Sequence, residues 1–170
     1  MKVALIAAVG KNLELGRDNQ LLWRLHTDML FFKQTTLQHW VIMGRKSFDS
    51  LPAKFRPLPQ RTNVVITRDK SYQHDGALVF HSIEEALQSA SAAEQSRVFI
   101  IGGGEIYKQA IASELIDEML LTHVDAEFTD ADVWFPAFDS TGWSTELLQE
   151  FEADASNEYS GHIKRYTKLR

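Results

Sequence analysis

The sequence predicts an α/β fold: a mostly parallel sheet with helices on both faces, arranged as one three-layer domain over residues 1–170. Three observations carry this expectation. Short runs such as KVALIAAV (2–9), NVVIT (63–67) and VFII (98–101) are apolar without alternation, the pattern of strands covered on both faces. Amphipathic stretches of helical spacing stand between such runs, and strands alternating with helices fold into parallel crossovers. The tail mixes polar and apolar residues, which suits an antiparallel pair near a sheet edge.

Lys2 opens the first strand, 2–9. A loop follows at 10–23, punctuated by Gly10, Asn12, Gly16, Asp18 and Asn19. Residues 26–38 read as a helix opened by His26 or Thr27. Leu25, Asp28, Met29, Phe32 and Thr36 share one of its faces at spacings of three and four. VIMG, 41–44, is a second strand, and RKSFDSL, 45–51, a short helix ended by Pro52. The stretch 52–61 holds three of the four prolines and is a stiff loop. NVVIT is the third strand and ALVF, 77–80, the fourth. IEEALQSASAA, 83–93, is an amphipathic helix whose Ser82 N-cap and Glu85 complete a capping box. VFII is the fifth strand, and GGGEIYKQAIA, 102–112, runs from a glycine turn into a helix. EMLLTHVDA, 118–126, is the sixth strand. STELLQEF, 144–151, and EYSGHIKRYTKL, 158–169, bring the sheet to eight.

Composition narrows the function classes. A chain of 170 residues buries a core without cross-links. It has no cysteine, which excludes disulfides, thiolate metal sites and a cysteine nucleophile and fits a cytoplasmic location. A net charge of -5 argues against general nucleic-acid binding, which needs cations to neutralise phosphates. No apolar run approaches the roughly 20 residues that span a bilayer, so no membrane partner is expected. The lysine and apolar run at the N-terminus read as a buried strand and not as a signal peptide. The six histidines are scattered, and no metal site is expected. With no apolar stripe left over, the chain is expected to be a monomer.

IIGGGEIY, 100–107, is the loudest motif. A buried strand runs through three glycines into a helix whose free N–H groups suit a phosphate or cofactor. It is not the dinucleotide fingerprint G-x-G-x-x-G, because Tyr107 stands at the last position. Arg45 follows VIMG and Arg68 follows VVIT, so two strands deliver guanidinium groups to their carboxyl ends, with Lys46 and Ser47 opening a helix beside them. Such groups suit a phosphate monoester, though a lone arginine is most often a solvated surface charge. Arg61, at the end of the stiff loop, could clamp a carboxylate or be a plain surface charge. Asp28 shares its face with Leu25, Met29 and Phe32, and no cation lies one helical turn away on that face. It is either an ordinary first-turn acid or a carboxylate that a ligand with paired N–H donors would satisfy. His123 reads as a satisfied core histidine, and Trp134, Phe135 and Pro136 as core and turn.

Taken together, the pieces resemble dihydrofolate reductase of the bacterial type over the whole length. ALIAAV, then Trp23-x-Leu25-x-x-Asp28-x-x-x-Phe32, VIMGRKSF, PLPQR, NVVIT, IIGGGEIY, LLTHVDA and DADVWFP follow in the family's order. The resemblance implies seven parallel strands with the last antiparallel. It implies NADPH-dependent reduction of dihydrofolate to tetrahydrofolate for one-carbon metabolism, and sensitivity to antifolate inhibitors. Asp28 would meet the 2-amino group and N3 of the pteridine, with Trp23 and Thr122 holding the network around it and Tyr107 near the nicotinamide. Ile6, Ala8, Met29, Phe32, Leu51, Leu58 and Ile101 would line the folate pocket, and Arg61 would grip the glutamate α-carboxylate. Ala8, Leu15, Gly16, Asn19, Gly44, Arg45, Lys46, Ser47, Thr67, Arg68 and the run Gly102, Gly103, Gly104, Glu105 and Ile106 would hold the cofactor. Of these, Arg45 and Arg68 would read the 2′-phosphate. The Gly102–Gly103 peptide is expected to be cis.

Three departures stand out. Leu22 and His26 occupy positions where the family usually has proline, which is expected to loosen the loop at 10–24. Glu105 stands where some relatives have arginine, and about three residues are inserted at 52–56. The nearest alternative is an NADPH-dependent pyrimidine reductase of riboflavin synthesis with the same fold, which is not expected to carry the Trp23–Asp28–Phe32 set. A rival from another class is a non-catalytic nucleotide-binding module.

Overall fold

The structure, a computed structural model, describes residues 1–18 and 20–170. Its elements in chain order are β1 (Lys2–Val9), β2 (Glu14–Arg17), β3 (Gln20–Leu21), α1 (His26–Thr36), β4 (Trp40–Gly44), α2 (Arg45–Asp49), β5 (Thr62–Ile66) and β6 (Ala77–Phe80). There follow α3 (Ile83–Ala92), β7 (Arg97–Gly102), α4 (Gly104–Ala112), β8 (Glu118–Val124), β9 (Val133–Trp134), β10 (Trp143–Phe151) and β11 (Gly161–Lys168).

Eight strands form one sheet in the order β10-β11-β8-β1-β7-β4-β5-β6. Neighbours are parallel except around β11, which runs antiparallel to both β8 and β10, so the last strand alone is reversed. Residue alternation decides which helix each side chain meets. Leu5, Ile42, Val64, Ile100 and Met119 face α3 and α4, packing with Ile83, Ala86, Ile106 and Ala110. Their neighbours Ile6, Val41, Met43, Val65, Phe99 and Leu120 face the other way, against Phe31 and Phe32 of α1 and Phe48 of α2. Strands of such two-sided burial have no polar face, which is why their sequences lack alternation.

The loop at 10–23 holds more structure than its sequence suggests. β2 and β3 form a hairpin, and β9 joins it to make a small second sheet. The reading of Trp134 as core is corrected here. As the second residue of β9 it stands 52% exposed, while Phe135 is buried in the main core. Phe135 lies just past the strand, and which of two adjacent aromatics turns inward depends on the local backbone and not on composition. At α3, Ser82 Oγ accepts from the Glu85 N–H at 3.1 Å, but Glu85 Oε2 accepts from the His81 N–H, one residue before the cap. Helix α1 stops at Thr36, two residues short of the expected 38, where Leu37 leaves helical geometry and Gln38 takes φ 67.

At the amino ends of the strands, buried Glu118 draws in three cations. Arg97 bonds it directly, and Lys2 Nζ and Arg165 Nε stand 3.6 and 3.7 Å away. The opposite, carboxyl end carries the motifs singled out from sequence, as expected for an open parallel sheet.

Candidate active site

Asp28 sits in the first turn of α1. The residue before the helix, Leu25, offers no capping side chain. The cap comes instead from Asn157, at the tip of the β10–β11 hairpin. Its Oδ1 accepts from the Thr27 N–H at 3.1 Å, and its Nδ2 donates to Thr27 Oγ1 at 3.0 Å. Asn157 is itself only 4% exposed, and its backbone bridges Leu25. The His26 N–H donates to Ser156 O at 3.1 Å, a bond that proline at this position could not make.

Strand alternation brings Thr122 of β8 to the α1 face of the sheet, where its hydroxyl donates to Asp28 Oδ1 at 2.6 Å. Burial pushes the Asp28 carboxyl above the usual carboxylate range, and the Thr122 hydrogen bond opposes this only in part. No lysine, arginine or histidine forms an ion pair with it among the described residues. Trp23, packed with Leu25 just before the helix, is buried, and its Nε1 has no hydrogen-bond partner among the described residues. The buried Trp23 donor thus remains unsatisfied and the half-buried, desolvated Asp28 carboxylate only partly satisfied, which is costly unless a ligand or water completes them.

Ile6, Phe32, Leu51, Leu58 and Ile101 pack in one apolar cluster beneath α1. Ala8 belongs to the adjoining cluster of Trp23 and Leu25, and Phe31, not singled out from sequence, touches both clusters. Met29 joins neither and is 57% exposed. Tyr107 spans the layers: its ring packs on the α4 side, and its hydroxyl reaches Ile6 O and Ile101 O, both at 2.8 Å. Burial first, then the negative charge of Asp28, push its phenol far above the ordinary range, so it stays a donor. Arg61 is held rigidly. Nε donates to Pro59 O at 3.0 Å and Nη1 to Thr36 Oγ1 at 3.2 Å, and the guanidinium stands 5.8 Å from the Phe32 ring centroid. Its Nη2 makes no hydrogen bond among the described residues and can meet a carboxylate.

Across the sheet's carboxyl edge, β7 runs into Gly102, at φ 132, and the Gly102–Gly103 peptide is cis. A Cβ on Gly103 would lie 3.0 Å from Ser47 Oγ, and one on Gly104 would lie 2.7 Å from Val133 Cγ1. Bare backbone therefore faces α2 and opens α4, with Glu105 and Ile106 in the first turn. Gly44 packs on Ile106, and Arg45, Lys46 and Ser47 begin α2. Thr67 and Arg68 follow β5 directly. Arg45 is not alone there: Asp49, Asp69 and Tyr72 surround it, an arrangement that sequence reasoning missed.

Leu15 of β2 reaches the glycine turn, with Cδ1 3.9 Å from a Cβ built on Gly104, and Gly16 sits beside it in the hairpin. Asn19 lies outside the described residues. The hairpin is tethered by acids also missed from sequence. Asp132 Oδ2 accepts from the Asp18 N–H at 2.9 Å, Asp130 pairs with Arg17 at 2.7 Å, and buried Glu14 accepts from the Asn12 and Phe128 N–H groups. Glu158 Oε1 accepts from the Arg24 N–H at 2.5 Å. These partners lie more than a hundred residues away in sequence, apart from Asn12, and no local pattern marks them.

A family model described as dihydrofolate reductase matches residues 2–168. The chain belongs to the dihydrofolate reductase family. It is 38% identical to dihydrofolate reductase type 3 of Salmonella typhimurium over 170 residues, covering all of both chains. It is 43% identical over 143 residues to the dihydrofolate reductase of Neisseria meningitidis serogroup A, covering 84% of each. Among solved structures, dihydrofolate reductase from Enterococcus faecalis, complexed with NADP(H) and RAB-propyl, superposes with a TM-score of 0.88 at 30% identity, over 99% of this chain and 97% of that one. As a dihydrofolate reductase the chain is an oxidoreductase, and the family's cofactor, NADPH, fits the residues present. Gly102 to Gly104 offer side-chain-free backbone and a helix N-terminus to the pyrophosphate, while Ser47, Thr67 and the cations at the ends of β4 and β5 suit phosphate oxygens.

Proposed function

We propose that this chain reduces 7,8-dihydrofolate to 5,6,7,8-tetrahydrofolate, with hydride delivered to C6 and a proton to N5, and so supplies one-carbon metabolism. NADPH, when bound, supplies the hydride. The observation that carries the reading is Asp28, a desolvated carboxylate met by one hydroxyl and by no cation among the described residues. The 2-amino and N3 donors of a pteridine are the complementary pair. Once ionised, Asp28 leaves negative charge in a low-dielectric wall, which favours positive charge on the pterin and hence a protonated N5. Thr122 orients the carboxylate, and the Trp23 Nε1–H, which has no partner among the described residues, would donate to a water or ligand that joins this network. Ile6, Phe32, Leu51, Leu58 and Ile101, with Ala8 and Met29 at the margins, exclude water from the ring. The free edge of Arg61 suits the glutamate α-carboxylate, and antifolates with the same paired donors would compete for Asp28. Tyr107, fixed on two carbonyls, closes the nicotinamide side. Leu15, Gly16 and Asn19 would cover the cofactor, and Gly44 to Ser47, Thr67, Arg68 and Gly102 to Ile106 would hold it. We place the enzyme in the cytoplasm, in keeping with its lack of cysteine, and as a monomer, since its sequence leaves no apolar stripe over.

The test is loss of absorbance at 340 nm with NADPH, with and without dihydrofolate. Oxidation that depends on dihydrofolate is expected. Oxidation that responds only to a pyrimidine substrate would place the chain with the riboflavin-pathway reductases, and no oxidation with either would leave a binding module.

A further inference from the structure

The ends of β4 and β5 carry acids that a site for a phosphate monoester does not need. Arg45 Nη1 pairs with Asp69 Oδ2 at 3.1 Å, and its Nε with Asp49 Oδ2 at 3.4 Å. The guanidinium lies over the Tyr72 ring, 4.7 Å from its centroid, and the Tyr72 hydroxyl donates to Asp49 Oδ1 at 2.9 Å. Asp69 is held in place by Ser71, whose N–H and hydroxyl both donate to Oδ1, at 2.9 and 2.6 Å. Those bonds, with Arg45 adding to them, hold the Asp69 carboxyl below the usual range, so it is ionised at working pH. Arg68, the residue before Asp69, is exposed and makes no hydrogen bond or ion pair among the described residues. Two carboxylates therefore offset one of the two arginines assigned to the cofactor's adenosine ribose.

We propose that Asp69, assisted by Asp49, sets cofactor specificity by occupying Arg45, so that the site takes a cofactor bearing a ribose 2′-hydroxyl alongside the 2′-phosphorylated one. This rests on the reading that the ends of β4 and β5 meet that ribose. A 2′-phosphate brings about two negative charges at neutral pH to a spot already holding two carboxylates. To engage it, Arg45 must give up a carboxylate, which is then left beside the phosphate as a like charge. A 2′-hydroxyl carries no charge and can donate to a carboxylate, so the same acids do not oppose it. Arg68 remains available to the phosphate, so NADPH still binds, with a narrowed advantage.

Calorimetric binding of 2′-phospho-ADP-ribose and of ADP-ribose to the full chain reads this without turnover. In the unsubstituted protein the two affinities are expected to lie within about tenfold. Asp69→Asn keeps the Oδ1 acceptor for Ser71 and removes the charge. It is expected to tighten the 2′-phosphorylated ligand about tenfold and to leave ADP-ribose within twofold. Asp49→Asn acts in the same direction and more weakly, and serves if Asp69→Asn does not fold. Equal affinities for the 2′-phosphorylated ligand before and after both substitutions, with Arg68→Ala still weakening it, would overturn the role of the acids and leave the subsite standing. If Arg45→Ala and Arg68→Ala both leave discrimination unchanged, the subsite assignment itself falls, and the proposal with it.

Discussion

At the scale of single residues, desolvation of Asp28 carries a stability cost. Burial raises its carboxyl above the unfolded value, so between those two values the folded chain binds the proton that the unfolded chain has released. Stability therefore falls as pH rises through the folded value and stays lowered at neutral pH. Asp28→Asn is expected to raise Tm at pH 7 while cutting kcat/KM by about 10²–10⁴-fold, with partial recovery of rate in acid. Calorimetry and a pH–rate profile measure the two effects, and an unchanged rate at pH 7 removes Asp28 from the mechanism. His123 shows the opposite linkage. Burial first, then His162 and Lys164, lower it to about 4, while its Nε2 meets the Tyr166 hydroxyl at 2.9 Å and its ring stacks on His162 at 5.0 Å. Between an unfolded value of about 6.5 and 4, the unfolded chain binds a proton that the folded chain refuses, so stability drops as pH falls through that window. His123→Gln should flatten that part of a plot of urea midpoint against pH. Asp28 was legible in the sequence because an acid on an apolar helical face without a cation stands out locally. The acids around Arg45 were not, since they gather only when the ends of β4 and β5 come together.

At the scale of elements, the helix that carries Asp28 depends on a hairpin at the other end of the chain. Asn157→Ala removes both bonds to Thr27. A lost N-cap costs about 1–2 kcal/mol, roughly 2–8 °C in Tm for a chain of this size. Because Asp28 is one residue beyond Thr27, KM for dihydrofolate is expected to rise severalfold. Asn157→Asp, which keeps the acceptor, should restore most of both. A change in Tm with no change in KM would separate the cap from substrate binding. The strands and α3 were readable from two-sided apolar runs and a local cap, whereas the hairpin within 10–23 was not. Its third strand comes from 133–134, and its ties run to Asp130 and Asp132, so no window of neighbouring residues contains the pattern.

At the scale of the whole molecule, the two ends of the sheet divide the work. The amino end holds the Glu118 cluster with Lys2, Arg97 and Arg165, and the carboxyl end carries the candidate site. Glu118→Ala leaves these cations without their common partner. Since they are partly solvated, the cost is expected at the low side of a broken buried pair, about 2–3 kcal/mol. That is about 4–12 °C in Tm, with kcat/KM unaltered. A fall in kcat/KM measured well below Tm would show that the two ends are coupled.

The α/β class, the positions of all eight main strands and the glycine turn before α4 were readable from the sequence alone, which also singled out Asp28. Each of these is written in a short window, through burial periodicity, backbone freedom or a charge in apolar company. The phase that points Thr122 at Asp28, the cap from Asn157 and the acids that hold Arg45 were decided only by the tertiary structure. Each of them is a contact between segments far apart in the chain, and hydrogen bonds and ion pairs act over a few ångströms of space whatever the separation in sequence.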